Sequence, residues 1–190
     1  EPNTLTPIDN IDLHQGYVKL MNPFEWDVDV QAGRFEVAYG TERFIGAVGW
    51  HYVGRSFDGG RFTLLPEQWN LDLFALTIKE SNSYIANPNP GIYPYPQEPT
   101  PATSIYGLWK NTEINKSSKF DVFSFFEIDR EDDAVKPDTN KLELFTFGGT
   151  YWGNYGDLST ILEGAYQLGS KSGNDLSAYL LSLQLFYKTG

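Results

Sequence analysis

Nine runs of β-forming residues recur along this chain, and most are about ten residues long. They fall at residues 12–21, 27–38, 55–65, 69–79, 102–111, 119–129, 140–151, 158–168 and 176–187. Strands of soluble proteins are usually nearer five or six residues, whereas a tilted strand needs about 9–11 to cross a bilayer. No run of about 18 apolar residues occurs, so no transmembrane helix is expected. Several runs alternate with period two. In the eighth, Leu162, Gly164, Tyr166 and Leu168 oppose Glu163, Ala165 and Gln167. In the last, Tyr179, Leu181, Leu183 and Leu185 oppose Leu180, Ser182, Gln184 and Phe186. Such alternation gives a strand two chemically different faces.

The connections add a second regularity. Short ones (22–26, 66–68, 112–118, 152–157) alternate with long ones (41–54, 80–101, 130–139), and the last, 169–175, is intermediate. A barrel with turns at one end and loops at the other has this pattern, while a sandwich has no reason to collect its long loops at one end. The expected fold is all-β, an antiparallel transmembrane β-barrel of about nine strands. Single-chain barrels of this kind have even strand numbers, and an open sheet leaves edges untenable in lipid. The nine strands are therefore expected to be part of a larger even-stranded barrel. Residues 1–190 read as a single barrel segment. Residues 80–101, with six of the chain's 11 prolines, read as an extended extracellular loop.

Composition narrows the chemistry. A net charge of −11 argues against nucleic-acid binding. Aromatic residues at 16% suit a β protein with interfacial girdles. Tyr39, Trp50, Tyr52 and Trp152 suit either such a girdle or stacking on sugar rings, and Trp152 at a strand end suits the girdle. There is no cysteine, and neither His14 nor His51 sits in a metal-binding pattern, so no metal or cofactor is expected. Ser56 and Asp58 lie near His51 but lack a nucleophile-elbow context, and the acidic run 129–133 lacks EF-hand spacing. An enzyme is not expected.

Four of the five arginines (Arg34, Arg43, Arg55 and Arg61) fall within residues 33–62 of an otherwise acidic chain. A hairpin closed around 41–54 would place residues whose numbers sum to about 95 opposite one another. Arg34 and Arg61 would then be near neighbours, with Glu36 opposite Gly59 or close to Asp58. Paired guanidiniums repel unless an anion lies between them, and each would cost roughly 2–4 kcal/mol at mid-depth on a lipid face. They are expected to face a lumen.

This stretch resembles the alginate-export family of outer-membrane barrels. The family's recurring block reads here as Gly33-Arg34-Phe35-Glu36, then Tyr39-Gly40-Thr41-Glu42-Arg43-Phe44-Ile45-Gly46, Trp50, and Gly54-Arg55-Ser56-Phe57-Asp58-Gly59. Asp12-Leu13-His14-Gln15-Gly16-Tyr17-Val18 is similar to its entry strand, and Leu162-Glu163-Gly164-Ala165-Tyr166-Gln167-Leu168-Gly169 to a later one. The resemblance implies an arginine-lined constriction passing an acidic polysaccharide or another anionic solute across the outer membrane of a Gram-negative bacterium. Carried over by position, Arg34, Glu36, Arg43, Arg55, Asp58 and Arg61 would line that path. The implied surroundings are outer-membrane lipid and other envelope proteins. Two other readings fit the residues: a soluble or surface β-sandwich that binds carbohydrate, and a barrel that anchors a surface assembly through loop 80–101.

Overall fold

The computed structural model describes residues 13–49, 54–78, 103–129 and 142–189. Expectations that rest on loop 80–101, on Trp50, His51 and Tyr52, or on residues 130–133 lie outside the described residues.

Among the described residues, nine strands form a single antiparallel sheet in which each strand pairs with its neighbours in sequence. They are β1 (Gly16–Met21), β2 (Val28–Phe35), β3 (Phe57–Leu64), β4 (Trp69–Ile78), β5 (Ser104–Asn115), β6 (Ser118–Asp129), β7 (Leu142–Tyr155), β8 (Leu158–Lys171) and β9 (Asn174–Tyr187). This is the up-and-down order of a barrel wall, and β1 and β9 do not pair with each other among the described residues. One continuous sheet also replaces the two packed sheets of the sandwich alternative.

All nine expected strands are present, with bounds moved by a few residues. The last three run to 14 residues each, longer than expected. The reason lies in the turns. Tyr155 pairs with Leu158 across Gly156-Asp157, and Lys171 pairs with Asn174 across Ser172-Gly173. Ser172 and Gly173 both have positive φ, 52° and 78°, as a two-residue type I′ hairpin turn requires. The connection expected over 169–175 is therefore as short as the turns at the opposite end, and strict short–long alternation stops at β8.

The pleat separates two faces. Following the register, Gln31, Arg61, Phe74, Gly107, Phe125, Thr146, Gln167 and Ala178 stand on one face, here called inner. The same face carries Asp72, Asp121, Thr150 and Glu163, all buried. The outer face carries Leu73, Tyr106, Leu108, Val122, Phe145, Phe147, Leu162, Tyr166, Leu168, Tyr179, Leu181 and Leu183, all exposed. The outer face is thus largely apolar and exposed, which fits a surface turned to lipid, while the inner face mixes these buried polar groups with buried aromatic ones such as Phe74, Trp109 and Phe125. Trp152 is on the inner face, two residues from Thr150 on β7, with the Lys119 ammonium 4.1 Å from its ring centroid. It is not an outer girdle residue at a strand end, because β7 continues to Tyr155.

Leu162, near the middle of β8, lies opposite Tyr151 and Leu183 on the outer face. Leu162→Arg is expected to cost about 2–4 kcal/mol in urea-induced unfolding from lipid vesicles. A change within about 0.5 kcal/mol, typical of a solvated surface, would remove lipid from this face.

Candidate functional site

The described part of the connection between β2 and β3, residues 36–49 and 54–56, does not extend into solvent as a loop. Val37, Tyr39 and Ile45 are buried in one cluster with Phe35, Phe57, Phe74, Leu76, Ile105, Trp109, Phe123 and Phe125. These partners are inner-face residues of β2 to β6. The connection is thus a strap laid over the inner face. Its apolar positions bury against the wall, as hydrophobic burial dictates.

An aromatic stack seats the strap. The Tyr39 ring lies 5.0 Å from that of Trp109 at 8° and 5.3 Å from that of Phe74 at 29°. Trp109 stacks in turn on Phe123 at 4.3 Å and 9°. Polar groups at the edge of the stack are satisfied. The Tyr39 hydroxyl donates to Asp72 Oδ2 at 2.7 Å, and Trp109 Nε1 donates to Asp121 Oδ2 at 2.8 Å. Burial, reinforced by the Asp72 carboxylate, holds the Tyr39 phenol far above its ordinary range, so it stays a donor. The strap's backbone also pairs with itself, from Tyr39 N to Ile45 O at 3.0 Å and from Arg55 N to Ala47 O at 2.7 Å. Buried N–H groups that leave a sheet need such partners.

Beyond the stack, the strap reaches β8. Arg43 Nε donates to Glu163 Oε2 at 2.7 Å, and the Thr41 hydroxyl donates to Glu163 Oε1 at 2.9 Å. Four strands, β4 to β7, lie between the strap's own hairpin and β8 in the sheet order. The Glu163 side chain is 2% exposed and that of Arg43 is 41% exposed. A depression of about 460 Å³ opens on the strap, with Glu42, Arg43, Phe44, Val48, Gly49 and Arg55 among its lining.

The six expected site residues divide into three groups. Arg43 and Arg55 line the depression on the strap. Arg61 stands on the inner wall, donating from Nη2 to Gln31 Oε1 at 2.8 Å, with Nη1 3.6 Å from Asp72 Oδ2 and its guanidinium over the Phe35 ring. Arg34, Asp58 and Glu36 form a rim cluster. Arg34 grips Asp58 side-on, Nε to Oδ1 at 2.9 Å and Nη2 to Oδ2 at 3.2 Å, while Nη1 donates to Leu13 O at 3.0 Å. Glu36 accepts from His14 Nε2 at 2.7 Å, and Ser56 Oγ lies 3.3 Å from His14 Nδ1.

Arg34 and Arg61 are not neighbours. Gln31 faces Arg61 and Arg34 faces Asp58, so opposed numbers sum to 92 rather than about 95. A slip of three, like any odd slip, turns a side chain to the other face. Arg34 and Asp58 therefore stand on the outer register at the loop end of β2 and β3, where a forked ion pair satisfies both charges, and they do not line the inner face. Glu36 is past the end of β2 and holds His14 rather than an arginine.

Glu163, Asp72 and the stack of Tyr39 on Trp109 were not expected at the site. Glu163 did carry a signal, as a lone acid within the otherwise uncharged residues 158–170. Its partners are more than a hundred residues away in sequence, and nothing local could name them.

A comparison with curated proteins finds no match. The family model described as alginate export matches residues 2–188, nearly the whole chain. The chain belongs to the alginate-export family of outer-membrane transport proteins.

Proposed function

We propose that this chain forms part of the wall and the constriction of an outer-membrane channel that passes anionic solutes, acidic polysaccharide among them, without an energy-coupled step. One observation supports this most strongly. The strap carries Arg43 and Arg55 over the inner face, beside an open depression. Arginine stays charged at any physiological pH and offers a planar fork to a carboxylate. Arg61 adds a third cation on the same face, tempered by Asp72. Acids beside the arginines keep each site weak enough to release its occupant, which conduction demands.

Single-channel recording of the protein carrying this chain, in planar bilayers, tests the proposal. The pore is expected to prefer anions, and Arg43→Ala combined with Arg55→Ala is expected to reduce that preference several-fold. A cation-preferring pore that neither substitution alters would refute it.

A further inference from the structure

We infer that Glu163 is a specificity-determining residue: a counter-charge built into the wall that sets how strongly Arg43 holds a passing carboxylate. The inference rests on the channel reading above.

Glu163 projects from β8 on the inner face and is almost wholly buried, yet both carboxylate oxygens are bonded to the strap, one by Arg43 and one by Thr41. The wall itself contributes little. Thr150, directly opposite Glu163 in the β7–β8 ladder, has a buried hydroxyl with no hydrogen-bond partner among the described residues. A buried carboxylate needs a cation or several donors. Here the cation comes from the strap.

Seen from Arg43, the same contact has a different consequence. Its Nε is held by Glu163, while the side chain remains 41% exposed at the depression. Arg43 is thus shared between a fixed carboxylate and the solution. A solute carboxylate arriving at the depression meets a guanidinium whose charge is already partly balanced. It binds more weakly than it would to a bare arginine and leaves faster. The fixed acid also restrains Arg43, because its Nε is tied to Glu163 Oε2.

The substitution Glu163→Gln separates charge from shape. Glutamine keeps the volume and an oxygen that accepts from Thr41 or Arg43, but removes the negative charge. With chloride as the current carrier and glucuronate as the probe, E163Q is expected to be blocked at several-fold lower glucuronate concentration, with longer blocked dwell times and a higher anion preference. In an Arg43→Ala background the same substitution is expected to leave the block unchanged, since the cation it modulates is gone. Block by glucuronate that E163Q does not alter, or a change that persists without Arg43, overturns the inference. So does E163Q that exposes the strap to trypsin and raises conductance while lowering anion preference, which would make Glu163 an anchor only. If the pore prefers cations and neither Arg43→Ala nor Arg55→Ala alters that, the channel reading itself fails, a result distinct from the failure of E163Q alone.

Discussion

Trp109→Ala is expected to lower the stability of the folded protein by about 3–5 kcal/mol, the largest effect of any single truncation proposed for this chain. Trp109 is 3% exposed and is the centre of the stack, with Tyr39 on one side and Phe123 on the other. Alanine would remove both stacking contacts and leave a cavity beneath the strap. It would also remove the donor to Asp121 Oδ2, leaving that buried carboxylate with the 2.5 Å bond from Asn111. Trp109→Phe keeps an aromatic ring in the stack and should cost distinctly less, the difference reporting the lost indole bond and volume. Urea-induced unfolding from lipid vesicles, followed by midpoint and slope, measures both. A Trp109→Ala cost near that of an exposed site, within about 0.5 kcal/mol, would mean that the stack does not hold the strap.

How much of this was legible beforehand depends on the range of the interaction. The strands were, because their length and period-two pattern are local properties of the backbone and of two-faced burial. Gly164, Tyr166 and Leu168 stand on one face of β8 and Glu163, Ala165 and Gln167 on the other, as alternation alone indicates. The β2–β3 register was not legible. Taking 41–54 as the loop implied flanking strands that meet immediately outside it, whereas β2 ends at Phe35 and β3 starts at Phe57. The alternating apolar residues Val37 and Tyr39 mimic a strand continuation, yet they bury against Trp109 and Phe74 instead of pairing in the ladder. A signal did exist. Phe44 and Ile45 are large apolar side chains in a connection that should be polar if it were solvated, and both pack on the wall. The division of the arginines follows from the register error, since an odd slip moves Arg34 to the face opposite Arg61. The Arg43–Glu163 contact spans the sheet, and although Glu163 stands out as the lone charge of residues 158–170, nothing local names its partner.

Gly40→Val is expected to lift the strap from the wall and raise single-channel conductance. Gly40 has φ of +59°, and a Cβ there would sit 2.8 Å from Trp109 Cζ2. The two penalties add. An L side chain in the left-handed region costs roughly 1–2 kcal/mol, more for a β-branched residue, and the clash falls on a ring already fixed between Tyr39 and Phe123. Neither neighbour can yield without opening the stack, so strain is relieved by moving the strap. Gly49 supplies the control. A Cβ there meets nothing within 4 Å, so Gly49→Ala should leave the strap in place. Trypsin reports strap position independently of current, because Arg43 and Arg55 are cleavable only when the chain around them is accessible. The expected result is faster cleavage at Arg43 together with a wider, less anion-selective pore in Gly40→Val, and neither change in Gly49→Ala. Faster cleavage with unaltered conductance would show a strap that moves but does not obstruct, and the constriction would then have to be sought on the inner wall around Arg61 and Asp72.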